Sequence, residues 1–312
     1  KINIFDRLFA SYGIFGFLML ILLFIRVLIP KYQMKWTVHI FAILIFLSFL
    51  AHTIGLIVRW YISGHAPWSN GFESMIFIGW ATILSGLIFY KNSPIALSAT
   101  SVLAALIVYV AHLSWMNPEI TNLVPVLKSY WLTIHVAIIT ASYGFLALGS
   151  FMGFLNLIFL ILQSKTNRIR IQEKILEITR INEMTLVIGL YLLTIGTFLG
   201  GVWANESWGR YWGWDPKETW AMVTVLVYAF ILHMRYIPGL KNIYAFNFMS
   251  VIGYFAVLMT YFGVNYYLSG LHSYASGDPM PIPDFVYYAV AVIFSVSLWA
   301  YYKYKKLWIK ES

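Results

Sequence analysis

Cysteine is absent from the 312 residues, which excludes disulfides, thiolate metal sites and cysteine nucleophiles within this chain. Any thiol chemistry must come from a partner. Charge is scarce as well: Asp, Glu, Lys and Arg together make up 11% of the chain, where a soluble domain carries about 25%. That excludes a soluble protein, and no segment is left that could fold as a sizeable aqueous domain. Acidic residues number 12 against 21 basic ones. In a chain this apolar the basic excess first reports orientation in a bilayer, and no nucleic-acid partner is expected. An initiating methionine is missing at Lys1, as in a processed or fused fragment. The first apolar run, Tyr12 to Ile29, has no small-residue cleavage site and reads as a retained span.

What the sequence does have is apolar surface. Hydrophobic residues fill 61% of positions, in recurring runs of about 20 residues, the length a helix needs to cross the hydrocarbon core. Runs bounded by charge or turn residues fall at about 9–29, 38–60, 73–90, 94–112, 131–162, 184–203, 219–237, 244–268 and 284–304. The expected fold class is therefore all-α: a polytopic transmembrane helix bundle of about nine spans in membrane lipid, with 1–312 forming a single transmembrane domain. The connections alternate between sides. Fifteen of the 21 basic residues, among them Lys31, Lys91, Arg168, Arg180, Arg235 and Lys306, fall on one side, which is therefore cytoplasmic. The segments near 61–72, 113–130, 204–218 and 269–283 then lie outside. Lys165 to Arg180 reads as a charged helical hairpin tip in the cytoplasm, solvated and orientation-setting.

Five of the 13 tryptophans, Trp203, Trp208, Trp212, Trp214 and Trp220, fall in one stretch of 18 residues. An interfacial aromatic belt accounts for Trp203 and Trp220 at the helix ends. It accounts poorly for Trp208-Gly-Arg-Tyr-Trp-Gly-Trp-Asp215, where rings alternate with flexible glycines and Arg210 supplies a cation. Such a loop is a platform for a flat, amphipathic ligand: ring faces to stack on and a donor for carboxylates.

The run Trp208 to Trp220, WGRYWGWDPKETW, resembles the WWD signature of the haem-handling proteins of cytochrome c biogenesis. Its continuation Asp-Pro-Lys-Glu-Thr-Trp is similar to the CcsA-type (ResC-type) subunit of the System II cytochrome c synthase. Two further stretches carry the same resemblance: Arg59 to Glu73, RWYISGHAPWSNGFE, and Gly263 to Ala275, GVNYYLSGLHSYA. Sister families share the WWD loop, but the span count and the flanking histidine segments favour the CcsA type.

Seven histidines are present, and an ionisable side chain within a bilayer is a functional hypothesis by default. His135, at the outer start of the fifth span, and His272, in the last outer loop, share a side with the tryptophan loop. The residues alone leave helix-end histidines facing water equally open. The resemblance implies that both are axial ligands of one haem iron, with Trp208, Arg210, Trp212, Trp214 and Asp215 around the macrocycle. His233 lies about 14 residues beyond Thr219, roughly 21 Å deeper by helix rise, too far to reach that iron. The family pattern gives this position to a second, inner haem, whose other ligand comes from a CcsB-type (ResB-type) partner; His39 is a candidate within this chain. His52 and His112 read as buried hydrogen-bonding groups, His65 as part of a chamber wall, and Glu73 as a favourable charge at a helix N-terminus.

The resemblance implies a membrane-embedded haem lyase of the bacterial cytoplasmic or thylakoid-type membrane. It would carry haem b outward as substrate and present it, at the periplasmic or lumenal face, to the Cys-x-x-Cys-His segment of apocytochrome c. Its implied partners are the CcsB/ResB-type protein, apocytochrome c and thiol-reducing proteins. No catalytic acid or base is assigned, because Asp215 and Glu218 are better explained as ordering the loop and starting the seventh helix. Three other functions stay open at this point: haem delivery without synthase activity, a cytochrome b-like electron carrier, and a transporter of another amphipathic ligand. The cytochrome b reading needs two helices each bearing histidines about 13 residues apart. His39 and His52 have that spacing; no second helix does.

Overall fold

The computed structural model describes residues 4–31, 34–113, 118–120, 122, 128–268, 270 and 282–309. Among them every regular element is helical. The helices are α1 (Ile4–Leu28), α2 (Lys35–Ser63), α3 (Gly71–Phe89), α4 (Pro94–Ala111), α5 (Tyr130–Leu162), α6 (Arg168–Trp208), α7 (Pro216–His233), α8 (Ile243–Leu258), α9 (Val264–Tyr267) and α10 (Asp284–Tyr304). A π-turn, Met259–Gly263, joins α8 to α9 without a break. Nine helical stretches among the described residues are long and apolar enough to cross a membrane, as the sequence predicts. The protein is a multi-pass membrane protein.

The helix ends follow local chemistry. Asn70 and Asn242 cap α3 and α8 by accepting the Glu73 and Ala245 amides, Pro94 opens α4 where a missing N–H costs nothing, and Gly64 closes α2 in the left-handed region at φ 68°. The sixth span departs from expectation. Residues 168–180 are helical, as expected of the hairpin tip, but continuous with the span expected from about 184: they are the opening turns of α6, which runs 41 residues to Trp208. The charges there predict where the membrane ends, yet no glycine or proline interrupts the helix before Gly189, and Lys174 pairs with Glu177 one turn on at 2.5 Å. Helical hydrogen bonding has no reason to stop at the lipid surface.

The chain divides into two compact units. The first comprises Lys1–Leu148 and Ile188–Trp212. In it α4 packs against both α1 and α3, and α1 against α2. The approach of α1 to α4 is close because Gly16 faces Ser101: a Cβ there would lie 2.6 Å from the serine Cβ. Ser101 Oγ donates to the Tyr12 carbonyl at 2.9 Å across the same contact, the small-residue packing expected where no hydrophobic drive separates lipid from helix. Most of α3 is buried, whereas α1 and α2 turn Ile14, Phe17, Ile40 and Ile57 outward.

The second unit comprises Gly149–Val187 and Gly213–Ser312. Its centre is polar. Asn156, Asn182 and Asn247, from α5, α6 and α8, are fully buried, and Asn247 Oδ1 accepts from the amides of Asn156 (2.9 Å) and Asn182 (3.2 Å). Thr179 and Ser250 complete the cluster. Arg235, just past α7, is paired with Glu183 of α6.

Candidate functional site

His135 sits in the second turn of α5 and is buried. Its Nδ1 lies 2.9 Å from the Trp131 carbonyl oxygen. A carbonyl can only accept, so Nδ1 carries the proton and Nε2 carries the lone pair, which is the tautomer that ligates a metal. The imidazole lies nearly parallel to the indole of Trp203, centroids 5.2 Å apart at 26°. Trp203 is completely buried and meets Trp208 edge-on at 4.7 Å. Gly200 of α6 lies beside the imidazole: a Cβ there would be 3.4 Å from His135 Cδ2, an ordinary van der Waals contact. Trp203 was expected at the headgroup level. A side chain with no exposed surface cannot serve as a belt residue, and α6 continues five residues past it.

The segment between α6 and α7 is only residues 209–215, shorter than the sequence suggests. Gly209, at φ 71°, turns the chain out of α6. Gly201 lets the loop return over that helix: a Cβ there would stand 3.0 Å from the Tyr211 carbonyl oxygen. The Arg210 guanidinium lies 6.0 Å from the Trp208 ring centre, within reach of a cation–π contact. Tyr211 and Trp214 expose 64% and 67% of their surface, which leaves aromatic area on view at the loop. In the second unit, Asp215 caps α7 by accepting the Lys217 amide at 2.9 Å, and Glu218 reaches back to the Asp215 amide at 3.2 Å, a capping box. That ordering role for both carboxylates is the one the sequence favours. Lys217 Nζ donates to Asn265 Oδ1 at 2.8 Å.

His233 is the last residue of α7 and is exposed; its Nδ1 donates to the Ala229 carbonyl at 2.7 Å. His39 is exposed on α2 with Nδ1 donating to the Lys35 carbonyl at 2.8 Å. Both therefore hold the same tautomer as His135. His39 belongs to the first unit and His233 to the second. His112 has the same Nδ1 bond, to Val108 O at 2.6 Å, but its Nε2 meets Asp6 Oδ1 at 2.5 Å. That pairing occupies the nitrogen a metal would need. His52 is buried against Tyr12, whose hydroxyl is 3.2 Å from its Nδ1. His272 lies outside the described residues.

The family described as "Cytochrome C assembly protein" matches residues 68–272. The chain belongs to that family. Among relatives, it is 48% identical over 281 residues to protein NrfI of Wolinella succinogenes, covering 90% of this chain and 31% of NrfI. It is also similar to two cytochrome c biogenesis proteins CcsA. The identity is 35% over 254 residues in Prochlorococcus marinus, covering 71% of this chain and 79% of that protein. It is 32% over 291 residues in Parasynechococcus marenigrum, covering 83% and 94%. The chain is of the CcsA type, and it spans about a third of the length of NrfI.

Two side chains of this CcsA-type protein gain significance only in three dimensions. Glu73 is more than a charge at a helix start: its side chain has no exposed surface and accepts from Arg59 Nε at 2.8 Å and from the Ser69 amide at 3.0 Å. That buried pair fixes the α2–α3 loop, from which the Trp68 indole donates to the Thr133 carbonyl at 3.0 Å. Thr133 is in the helical turn that leads into His135. Trp68 is thus tied to the candidate ligand across 65 residues of chain, and no local sequence pattern announces such a bond.

Proposed function

We propose that this chain moves haem b across the membrane and presents it at the outer face for covalent attachment to apocytochrome c. The observation that carries the reading is the state of His135: buried, stacked on Trp203, with Nδ1 fixed to the Trp131 carbonyl so that Nε2 is the basic nitrogen. That is the preparation an axial iron ligand requires. His272 is the proposed second ligand of the same iron. Trp208, Trp212 and Trp214 supply ring faces, Arg210 is the proposed cation for a propionate, and Asp215 sets the loop's end. In this reading residues 1–312 serve as a single transmembrane haem-handling domain.

His233 is the proposed ligand of an inner haem on the way outward. Its second ligand comes from a CcsB/ResB-type partner, with His39 the candidate from this chain. The attachment step adds each thiol of Cys-x-x-Cys-His across one vinyl group. Sulfur bonds to the vinyl carbon next to the ring and the thiol proton ends on the terminal carbon, so no net oxidation occurs. Thiol-reducing proteins keep the cysteines available, and this chain, having no cysteine, offers no competing thiol. Its contribution is position and shielding, not acid–base chemistry. The loop then faces the periplasm or lumen, with the basic connections in the cytoplasm.

The reading is tested by purifying the protein in detergent, counting haem per chain and recording its spectrum. Haem that changes ligation in His135→Ala and in His272→Ala, with maturation lost and partly restored by added imidazole, is the expected result. A protein without a Soret band, or normal maturation in both variants, would overturn it.

A further inference from the structure

Trp214 is the one described tryptophan in a left-handed backbone conformation, at φ 58°. A bulky residue avoids that region because Cβ crowds the carbonyl, and glycine stands next to it at position 213, where the same turn would be free of strain. The chain therefore holds tryptophan in a posture it would not adopt by itself. Something must over-determine that posture.

The agent is visible. A single carboxylate oxygen, Glu218 Oε2, accepts from the Gly213 amide at 2.8 Å and from the Asp215 amide at 3.2 Å. These are the amides on either side of Trp214. Two amides flanking one residue converge on one point when the backbone between them curls into a nest, the concavity that binds anions elsewhere. Here the anion is internal, held in place as the third residue of α7 by a helix whose cap is Asp215. The indole of Trp214 is turned outward as a result, 67% exposed. An ordinary capping box needs only the Asp215 contact; the bond to Gly213 is additional and reaches across the tryptophan.

We infer that Glu218 is a positioning residue which presents the Trp214 ring to the planar ligand before that ligand arrives. The inference rests on the haem-platform reading and adds to it the group that fixes the platform's geometry. Holding the ring in advance removes the cost of ordering it on binding. Replacing Glu218 frees Trp214 to relax toward ordinary φ values, and the stacking contact is lost without any aromatic residue being removed.

The test is a double-mutant cycle on the full chain in detergent, reading haem per polypeptide and the rate at which haem passes to excess apomyoglobin. Trp214→Ala and Glu218→Ala are each expected to raise that rate roughly three- to tenfold, the value of one aromatic stacking contact. The double variant should be no faster than Trp214→Ala alone, because that ring is the route by which Glu218 acts on the ligand, its part in the α7 capping box being read separately in the helical circular dichroism. Glu218→Gln keeps a carbonyl acceptor and should restore much of the retention. Equal α-helical circular dichroism and a monodisperse elution profile exclude general loss of fold. Additive effects in the cycle, or a Glu218→Ala rate equal to wild type, overturn the inference. A wild-type rate in Trp214→Ala overturns instead the platform reading on which it rests.

Discussion

His135 and Trp203 form a parallel ring pair, centroids 5.2 Å apart at 26°, with Gly200 against the imidazole and Trp208 edge-on to the indole. The stack holds the candidate ligand against a fully buried tryptophan. Trp203→Ala should therefore do two things. Removing so large a buried side chain costs about 3–5 kcal/mol of stability, read as a lowered thermal transition in detergent, and the surviving folded protein should show mixed haem ligation as the imidazole gains freedom. Gly200→Leu should shift the spectrum, because its side chain must extend beyond a Cβ that would already touch the imidazole at 3.4 Å. An unaltered spectrum in both would detach the stack from haem ligation.

The buried pair Arg59–Glu73 makes a second, separable prediction. The side chains are 11% and 0% exposed, so Glu73→Ala strands a guanidinium away from water and should destabilise the first unit by about 3–5 kcal/mol. Arg59→Leu combined with Glu73→Leu removes both charges and should recover part of that loss. In the recovered double variant the Trp68 bond to Thr133 remains, so haem ligation at His135 should be preserved. If the double variant unfolds as readily as Glu73→Ala, the pair's charge is not what orders the α2–α3 loop.

The orientation assigned by charge is testable because the chain has no cysteine of its own. A single cysteine at Gly209 should react with a membrane-impermeant maleimide added from outside intact cells. One at Ser164, between α5 and α6, should react only after the cells are opened. The opposite pattern would place the tryptophan loop in the cytoplasm and remove the route proposed for haem.

The nine membrane-length helices among the described residues were legible in the sequence because each needs about 20 apolar residues and little else. The order of helices and the capping box at Asp215 and Glu218 follow equally from local pattern. What the sequence left hidden is long-range or postural. Trp203 looked interfacial because hydropathy fades near residue 203, whereas helix α6 persists to Trp208 and buries that ring. Glu73 looked like a helix-start charge because its partner, Arg59, lies 14 residues away on another helix. The left-handed backbone of Trp214 has no signal at all, since glycine at 213 points to the neighbouring position. The candidate ligand His135 was legible through family resemblance; its tautomer and its stacking partner were not.

The inner position gives the last prediction. His233 ends α7, with Nδ1 bound to the Ala229 carbonyl and its ring exposed, so its Nε2 lone pair is presented at the helix surface as an iron ligand's would be. Helix rise puts it roughly 21 Å from Thr219 at the loop end of the same helix. An iron held at the loop end of α7 is out of reach of His233, so the inner haem proposed for His233 would be a second one. The two act in series if supply runs from the inside. His233→Ala should then leave a folded, membrane-inserted protein whose outer haem is depleted, with maturation lost. His135→Ala should retain haem with the spectrum of the inner position. Added imidazole should restore haem loading to His233→Ala, because it fills the vacated coordination site, and a substitution such as His233→Leu that also blocks the space should resist rescue. Full outer haem and normal maturation in His233→Ala would make His233 a structural residue and require another route for haem to reach the loop.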